Sequence, residues 1–281
     1  MKNTRKLIPA LAMLLISAVM MSTASFAWFT INKTVTASGM KVTARAEGGI
    51  QIARPGSEAG VGVSSAIGSI TSLLPTSTYD AQHWAHAEGT ADDNGAGLVG
   101  SYEELTLTSS SPSTSGLGLL YNTNSSNAYV LYDTYTITPD ENSSGFTNLW
   151  LSACYVEGNN NDLSKSLRVA VVCGDKIIIC APISGASLSY KYMNGVVDGE
   201  GASLAKDVTA ISTYNTNLYP LASNENYRLT ATDTSVDSAT VSVYIYFEGE
   251  DVSHTTQNLN IGVDTLTISC KFSCDSVQAA E

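Results

Sequence analysis

Two segments near the end of the chain alternate with a period of two. Ala239 to Glu248 reads ATVSVYIYFE and puts Val241, Val243, Ile245 and Phe247 on one face. Thr265 to Cys274 reads TLTISCKFSC and groups Leu266, Ile268, Cys270, Phe272 and Cys274 in the same way. Only an extended strand sends every second side chain to one side, so these stretches call for a sheet with one buried face. Further β-prone runs precede them: Thr34 to Ala44, broken at Gly39; Tyr129 to Thr138, ending at Pro139; and Leu149 to Val156. Leu167 to Cys173 and Lys176 to Ala181 flank Gly174-Asp175 and are apolar on both faces, the pattern of a hairpin buried between layers. Helical periodicity is weak; Tyr102 to Leu105 and Asp162 to Leu167 are read as a helical turn or two. Many strands bounded by Gly, Asn, Asp and Ser predict an all-β fold, a β-sandwich. Residues 55–127 loosen into Gly-, Ser- and Asn-rich stretches and are expected to form a loop-rich insertion without a core of its own. A single domain is expected over residues 28–281.

The amino terminus reads as a signal peptide over residues 1–27. Lys2, Arg5 and Lys6 form a basic start, Leu7 to Met21 is an apolar run, and Ser25-Phe26-Ala27 has the small-x-small spacing of a cleavage site. Cleavage is placed between Ala27 and Trp28. The alternative, an uncleaved anchor, is opposed by Pro9 inside the run and by its shortness beside the roughly 20 residues of a membrane span. A secreted, cell-surface-associated chain without stable membrane insertion is expected. With 14 Lys and Arg against 26 Asp and Glu, the net charge of −12 opposes nucleic acid and anionic bilayers as partners. Five cysteines cannot all pair within one chain. A two-residue turn sets Cys173 against Lys176 and Cys180 against Val169, so Cys173 and Cys180 should not meet. Cys270 and Cys274 are too far apart along one strand, and all five are read as small buried hydrophobes.

The run STASFAWFTINKTVTASGMKVTA, around Ala27-Trp28-Phe29-Thr30 and Ala37-Ser38-Gly39, resembles the start of TasA/camelysin-like exported β-sandwich proteins of Gram-positive bacteria. VSVYIYFEGEDVSHTTQNLNIG and LLPTSTYDAQHW are similar to segments of surface β-sandwich proteins of clostridial-type bacteria. The resemblance implies a jelly-roll sandwich that builds extracellular-matrix or biofilm fibres by donating its mature amino-terminal strand to the next subunit. Trp28, Phe29, Ile31 and Val35 are then the donor candidates; the same strand could instead pair within its own domain.

Residues with chemical potential are few. His83, His86 and Glu88, with Asp92 and Asp93 just beyond, would begin a metal site if His83 and His86 shared a helix face. No HExxH is present, and a solvated polar loop is the favoured reading. Asp92-Asp93-Asn94-Gly95 and Glu248-Gly249-Glu250-Asp251 are acidic turns read as solvated loops; they are compatible with weak Ca2+ binding, and no cofactor is expected. Neither a GxSxG elbow nor a phosphate loop occurs, so no enzyme is expected. Tyr outnumbers Phe, 14 to 5. Tyr121, Tyr129, Tyr132, Tyr135, Tyr190, Tyr192, Tyr214 and Tyr219 thus admit a second reading, a monomeric adhesin or carbohydrate-binding module facing cell-wall or host glycans.

Overall fold

The structure is a computed structural model, and it describes residues 35–38, 40–67, 71–78, 80–88, 101–109, 116–123, 127–158, 163–183, 208–212, 227–249, 263–264 and 266–279. Residues 1–34, and with them Ala27, Trp28, Phe29 and Ile31, lie outside them, as do Asp92, Asp93, Tyr190, Tyr192, Tyr214 and Tyr219. In chain order the first ten strands are β1 (Val35–Ser38), β2 (Lys41–Ala46), β3 (Ile50–Ala53), β4 (Gly62–Ala66), β5 (Thr71–Leu73), β6 (Ser77–Thr78), β7 (Trp84–Glu88), β8 (Ser101–Leu105), β9 (Leu107–Ser109) and β10 (Gly118–Asn122). The next five are β11 (Ala128–Pro139), β12 (Ser143–Thr147), β13 (Trp150–Glu157), β14 (Leu167–Cys173) and β15 (Lys176–Ala181). Then come β16 (Val208–Ser212), β17 (Ala239–Phe247), β18 (Val263–Asp264), β19 (Thr267–Ser273) and β20 (Ser276–Ala279). The described residues are all-β, with a short 3-10 turn at Leu163–Ser166. That turn falls where a helical turn was expected, whereas Tyr102 to Leu105 belongs to strand β8, paired with β7. Among the described residues no helix is long and apolar enough to cross a membrane.

The main sheet runs β16-β15-β14-β17-β11-β5-β1-β18, with β3, β9 and β10 attached around β11. A second sheet runs β13-β19-β2-β4, a third β6-β7-β8, and β12 pairs with β20. Strand β11 is twelve residues long and serves two edges. It pairs with β17 over Leu131 to Ile137, while β10 and then β3 occupy its other side. Gly118 of β10 faces Tyr132 so closely that any Cβ there would collide with the Tyr132 ring, which accounts for a glycine inside a strand.

The β14–β15 hairpin shows how sequence fixes the layering. Cys173 stands opposite Lys176 and Val169 opposite Cys180, the register that a two-residue turn dictates. Gly174 takes φ of 60°, and its place as first central residue suits a II′ turn. Alternate residues then enter different cores. Val169, Val171, Ile178 and Cys180 join an apolar cluster shared with the β13-β19-β2-β4 sheet. Ala170, Ile177 and Ile179 join a second cluster with Trp84, Ala85 and Leu105 of the β6-β7-β8 sheet. The hairpin is therefore covered on both faces, as its continuous apolar sequence requires.

The second cluster corrects one expectation. Within 55–127, Leu74, Ala81, Trp84, Ala85 and Leu105 belong to it, so the described short strands β6 to β8 pack against the main sheet and share a core with it. This apolar content is carried by single large residues in short strands, without the long alternation that marks the main sheet, so it leaves no periodic signal in the sequence. The segment also lends β4 to the second sheet and β5 and β10 to the main one.

Candidate functional site

The described part of the histidine segment lies in β7 and the turn before it. A tight turn precedes β7: Thr78 Oγ1 accepts from the Ala81 amide at 2.8 Å, and Asp80 Oδ1 accepts from the amides of Gln82 at 2.9 Å and His83 at 2.7 Å. His83 remains half exposed, with Nδ1 2.5 Å from Asp80 Oδ2. His86 lies three residues on, inside a strand and not on a helix, so the two rings do not share a face. It is 5% exposed, and Nδ1 donates to the Pro75 carbonyl at 2.8 Å. Its ring meets Tyr129 edge-on at 5.6 Å. The expected solvated loop is thus, at His86, part of a packed layer. Among the described residues no three His, Cys, Asp or Glu side chains are placed to hold a metal ion. Glu88 ends β7.

The acidic turn after β17 is also buried at its start. Glu248 is fully buried and accepts a hydrogen bond from Ser77 Oγ, while its amide donates to the Ser166 carbonyl at 2.7 Å. The expectation of a solvated turn fails at this residue because Thr76 and Glu248 form a bridge that brings the β6-β7-β8 sheet over it. Arg168, also fully buried, donates to the carbonyls of Lys165 at 2.6 Å and Leu167 at 2.7 Å.

A second polar group joins the two large sheets. Arg54 Nε approaches Asp133 Oδ2 at 2.8 Å, and Nη2 donates to Asp133 Oδ1 at 3.1 Å and to the Gly116 carbonyl at 2.8 Å. Ser65 Oγ, from β4, donates to Asp133 Oδ2 at 2.5 Å. Asp133 has no exposed surface and Arg54 is 6% exposed, so the fork is a desolvated structural contact and not an open binding site. Burial first, and the charge of Asp133 second, push the neighbouring Tyr135 hydroxyl well above its ordinary value. Neither pair was visible in the sequence, since Arg54 and Asp133 are 79 residues apart.

The tyrosines divide. Tyr135 is fully buried and Tyr129 nearly so, which removes both as sugar platforms. Tyr132 stacks on Tyr244 with centroids 6.2 Å apart, and Trp84 packs against Tyr244 at 6.0 Å. Tyr121 rests against the main core.

The remaining feature is a strand edge. Strand β4 borders the second sheet, antiparallel to β2. The Ala46 amide donates to the Val61 carbonyl at 3.1 Å and the Ile67 amide to the Met40 carbonyl at 3.0 Å. Carried along the ladder, this alternation turns Val61, Val63, Ser65 and Ile67 toward β2 with their backbone groups. Gly62 and Ser64 then direct their N–H and C=O groups away from β2, on a side whose ends are held by the Gly60–Ile52 pair and by the Leu117 amide, which donates to the Ala66 carbonyl at 3.1 Å. Beside this edge is a groove of about 440 Å3 lined by Thr43, Arg45, Glu47, Val61, Gly62 and Ser64. Val61 is 77% exposed. The sheet surface nearby is polar: Thr43 and Ser269 share a hydrogen bond of 2.8 Å, and Lys271 meets Glu47 at 3.3 Å. Val35, by contrast, is committed within its own chain, opposite Leu73 in the β1–β5 pair. Compared with known families, characterised proteins and solved structures, the chain matches none.

Proposed function

We propose that the chain is a secreted, non-catalytic structural subunit of the cell surface or extracellular matrix, a jelly-roll-like β-sandwich akin to TasA/camelysin-type proteins, which self-associates by strand addition. The observation that carries this reading is the β4 edge, where Gly62 and Ser64 offer outward backbone groups next to a groove and the exposed Val61. An extended segment laid there gains main-chain hydrogen bonds, and alternate side chains enter the groove. With Val35 held in β1, the donor set narrows to Trp28, Phe29 and Ile31.

The test is electron microscopy of residues 28–281 beside a chain beginning at Thr34, which removes the donor set and keeps β1 whole. Filaments from the longer chain alone are expected. Ser64→Pro should abolish them as well, because it deletes an outward N–H while sparing the ladder to β2. A monomeric longer chain at high concentration would overturn the proposal and turn attention to glycan binding at Tyr132 and Tyr244.

A further inference from the structure

The core between the two large sheets holds three fully buried cysteines: Cys154 on β13, Cys270 on β19 and Cys180 on β15. Cys154 and Cys270 are direct partners in the antiparallel β13–β19 ladder, between the buried pairs Leu151–Phe272 and Val156–Ile268. The alignment depends on a bulge between Leu151 and Ala153. Without that extra residue Cys154 would stand opposite Ser269, whose hydroxyl bonds Thr43 on the other face of the sheet. The bulge therefore rotates Cys154 into the core and into register with Cys270.

The hydrogen-bond phase of β19 sharpens the geometry. The carbonyls of Leu266 and Phe272 accept from the amides of Lys41 and Glu47, so the even-numbered residues of this strand direct their backbone groups toward β2. Cys270 shares that phase and turns its backbone away from β13. Cys154–Cys270 is accordingly a non-hydrogen-bonded pair, the kind in which Cα atoms lie about 4.5 Å apart and side chains come closest. That separation falls at the short end of the disulfide window, roughly 4.4–6.8 Å.

We infer that Cys154 and Cys270 form a cross-strand disulfide when the chain folds in an oxidising environment, leaving Cys173, Cys180 and Cys274 as free thiols. The oxidant is an external disulfide. One cysteine thiolate attacks it to give a mixed disulfide and release one thiol; the second cysteine thiolate then displaces the other sulfur and closes the Cys154–Cys270 bond. Two cysteine thiols lose two protons and two electrons, and the external disulfide leaves as two thiols.

The other cysteines are poorly set for this bond. Cys173 sits beside the hairpin turn opposite Lys176, and Cys274 Sγ contacts the Gly48 carbonyl at 3.4 Å. Cys180 acts on the Cys154 thiol from across the core. It is the one competitor, but its strand belongs to the opposing sheet and no ladder fixes the two at bonding distance. The timing also follows. The influence of Cys180, and then burial, hold the Cys154 thiol well above its usual range. The influence of Cys154, and then burial, do the same at Cys270. Thiolates are the reacting species, so closure belongs to folding, before the core excludes solvent and oxidant.

The inference is tested by refolding the 28–281 chain in oxidised and reduced glutathione, then blocking free thiols in denaturant and mapping peptides without reduction. A mass lower by two hydrogens, three blocked thiols and a linked peptide pair carrying Cys154 and Cys270 are expected. Cys180→Ala should keep the link. Five blocked thiols after oxidative refolding, or a Cys154–Cys180 link in the unmodified chain, would overturn it. The assay supplies its own oxidant and reads monomers, so its outcome is independent of whether filaments form.

Discussion

The two faces of the main sheet are closed in different ways. The face toward β13-β19-β2-β4 is filled by long files of aliphatic side chains, with Arg54–Asp133 as an ion pair set among them. The face toward β6-β7-β8 is smaller and relies on Trp84, Tyr129 and Tyr246, with the ring of Tyr246 edge-on to Trp84 at 5.2 Å. Around those rings lie buried polar groups: His86, Ser77, Glu248 and Arg168. A long alternating strand can bury area by repetition. A layer of two- to five-residue strands cannot, so it uses few large rings and secures its edges by hydrogen bonds.

The largest effect should come from the first face. Asp133→Ala leaves the Arg54 guanidinium buried without its carboxylate and should cost about 3–5 kcal/mol in urea unfolding. Because Arg54, Ser65 and Asp133 join both large sheets, the loss should be global and the m-value unchanged. Trp84→Ala removes the centre of the second layer, a truncation worth roughly 3 kcal/mol or more. Here amide exchange should accelerate in β6, β7 and β8 while β14 and β17 stay protected; equal loss of protection in both would erase the contrast between the two faces. Glu248→Gln keeps the shape but weakens the bond from Ser77, and a smaller cost of about 1–2 kcal/mol is expected in the same exchange experiment.

The smallest effect appears only in alkali. Burial, and then the charge of Asp133, make the Tyr135 phenol ionise later in the fold than the ordinary phenol value of 10.0. Its contribution is therefore whole below pH 10.0 and is lost as pH rises toward the folded value, because the unfolded chain releases the proton first. Tyr135→Phe should flatten the fall in stability above that pH and leave neutral stability nearly unchanged. An unaltered alkaline limb would show that the phenol is not what limits it.

The contrast also explains what could be read beforehand. Strands β11, β13, β14, β15, β17 and β19 lie where the sequence patterns put them, because their side chains alternate or run apolar long enough to declare a buried face. The Cys173–Lys176 register followed from a two-residue turn. Partners distant in sequence were not legible. Nothing local to Cys154 marks the bulge that sets it against Cys270, and nothing in WAHAE says that a sheet covers His86. Glu248 reads as a charged turn residue until Ser77 is brought to it from 171 positions away. The β4 edge was invisible for the same reason: GVSSA is weakly patterned, and its place at a sheet border is a property of its neighbours.

The parallel pairing of β2 with β19 has a consequence for how the chain comes into being. Lys41 to Ala46 has a near partner in Gly62 to Ala66, but its other edge is met only by Thr267 to Phe272, so the second sheet stays incomplete until that distant strand has been made. Such a long sequence separation slows closure and keeps the early chain open. Until β19 emerges the second sheet is unfinished, and that strand is the latch that closes it.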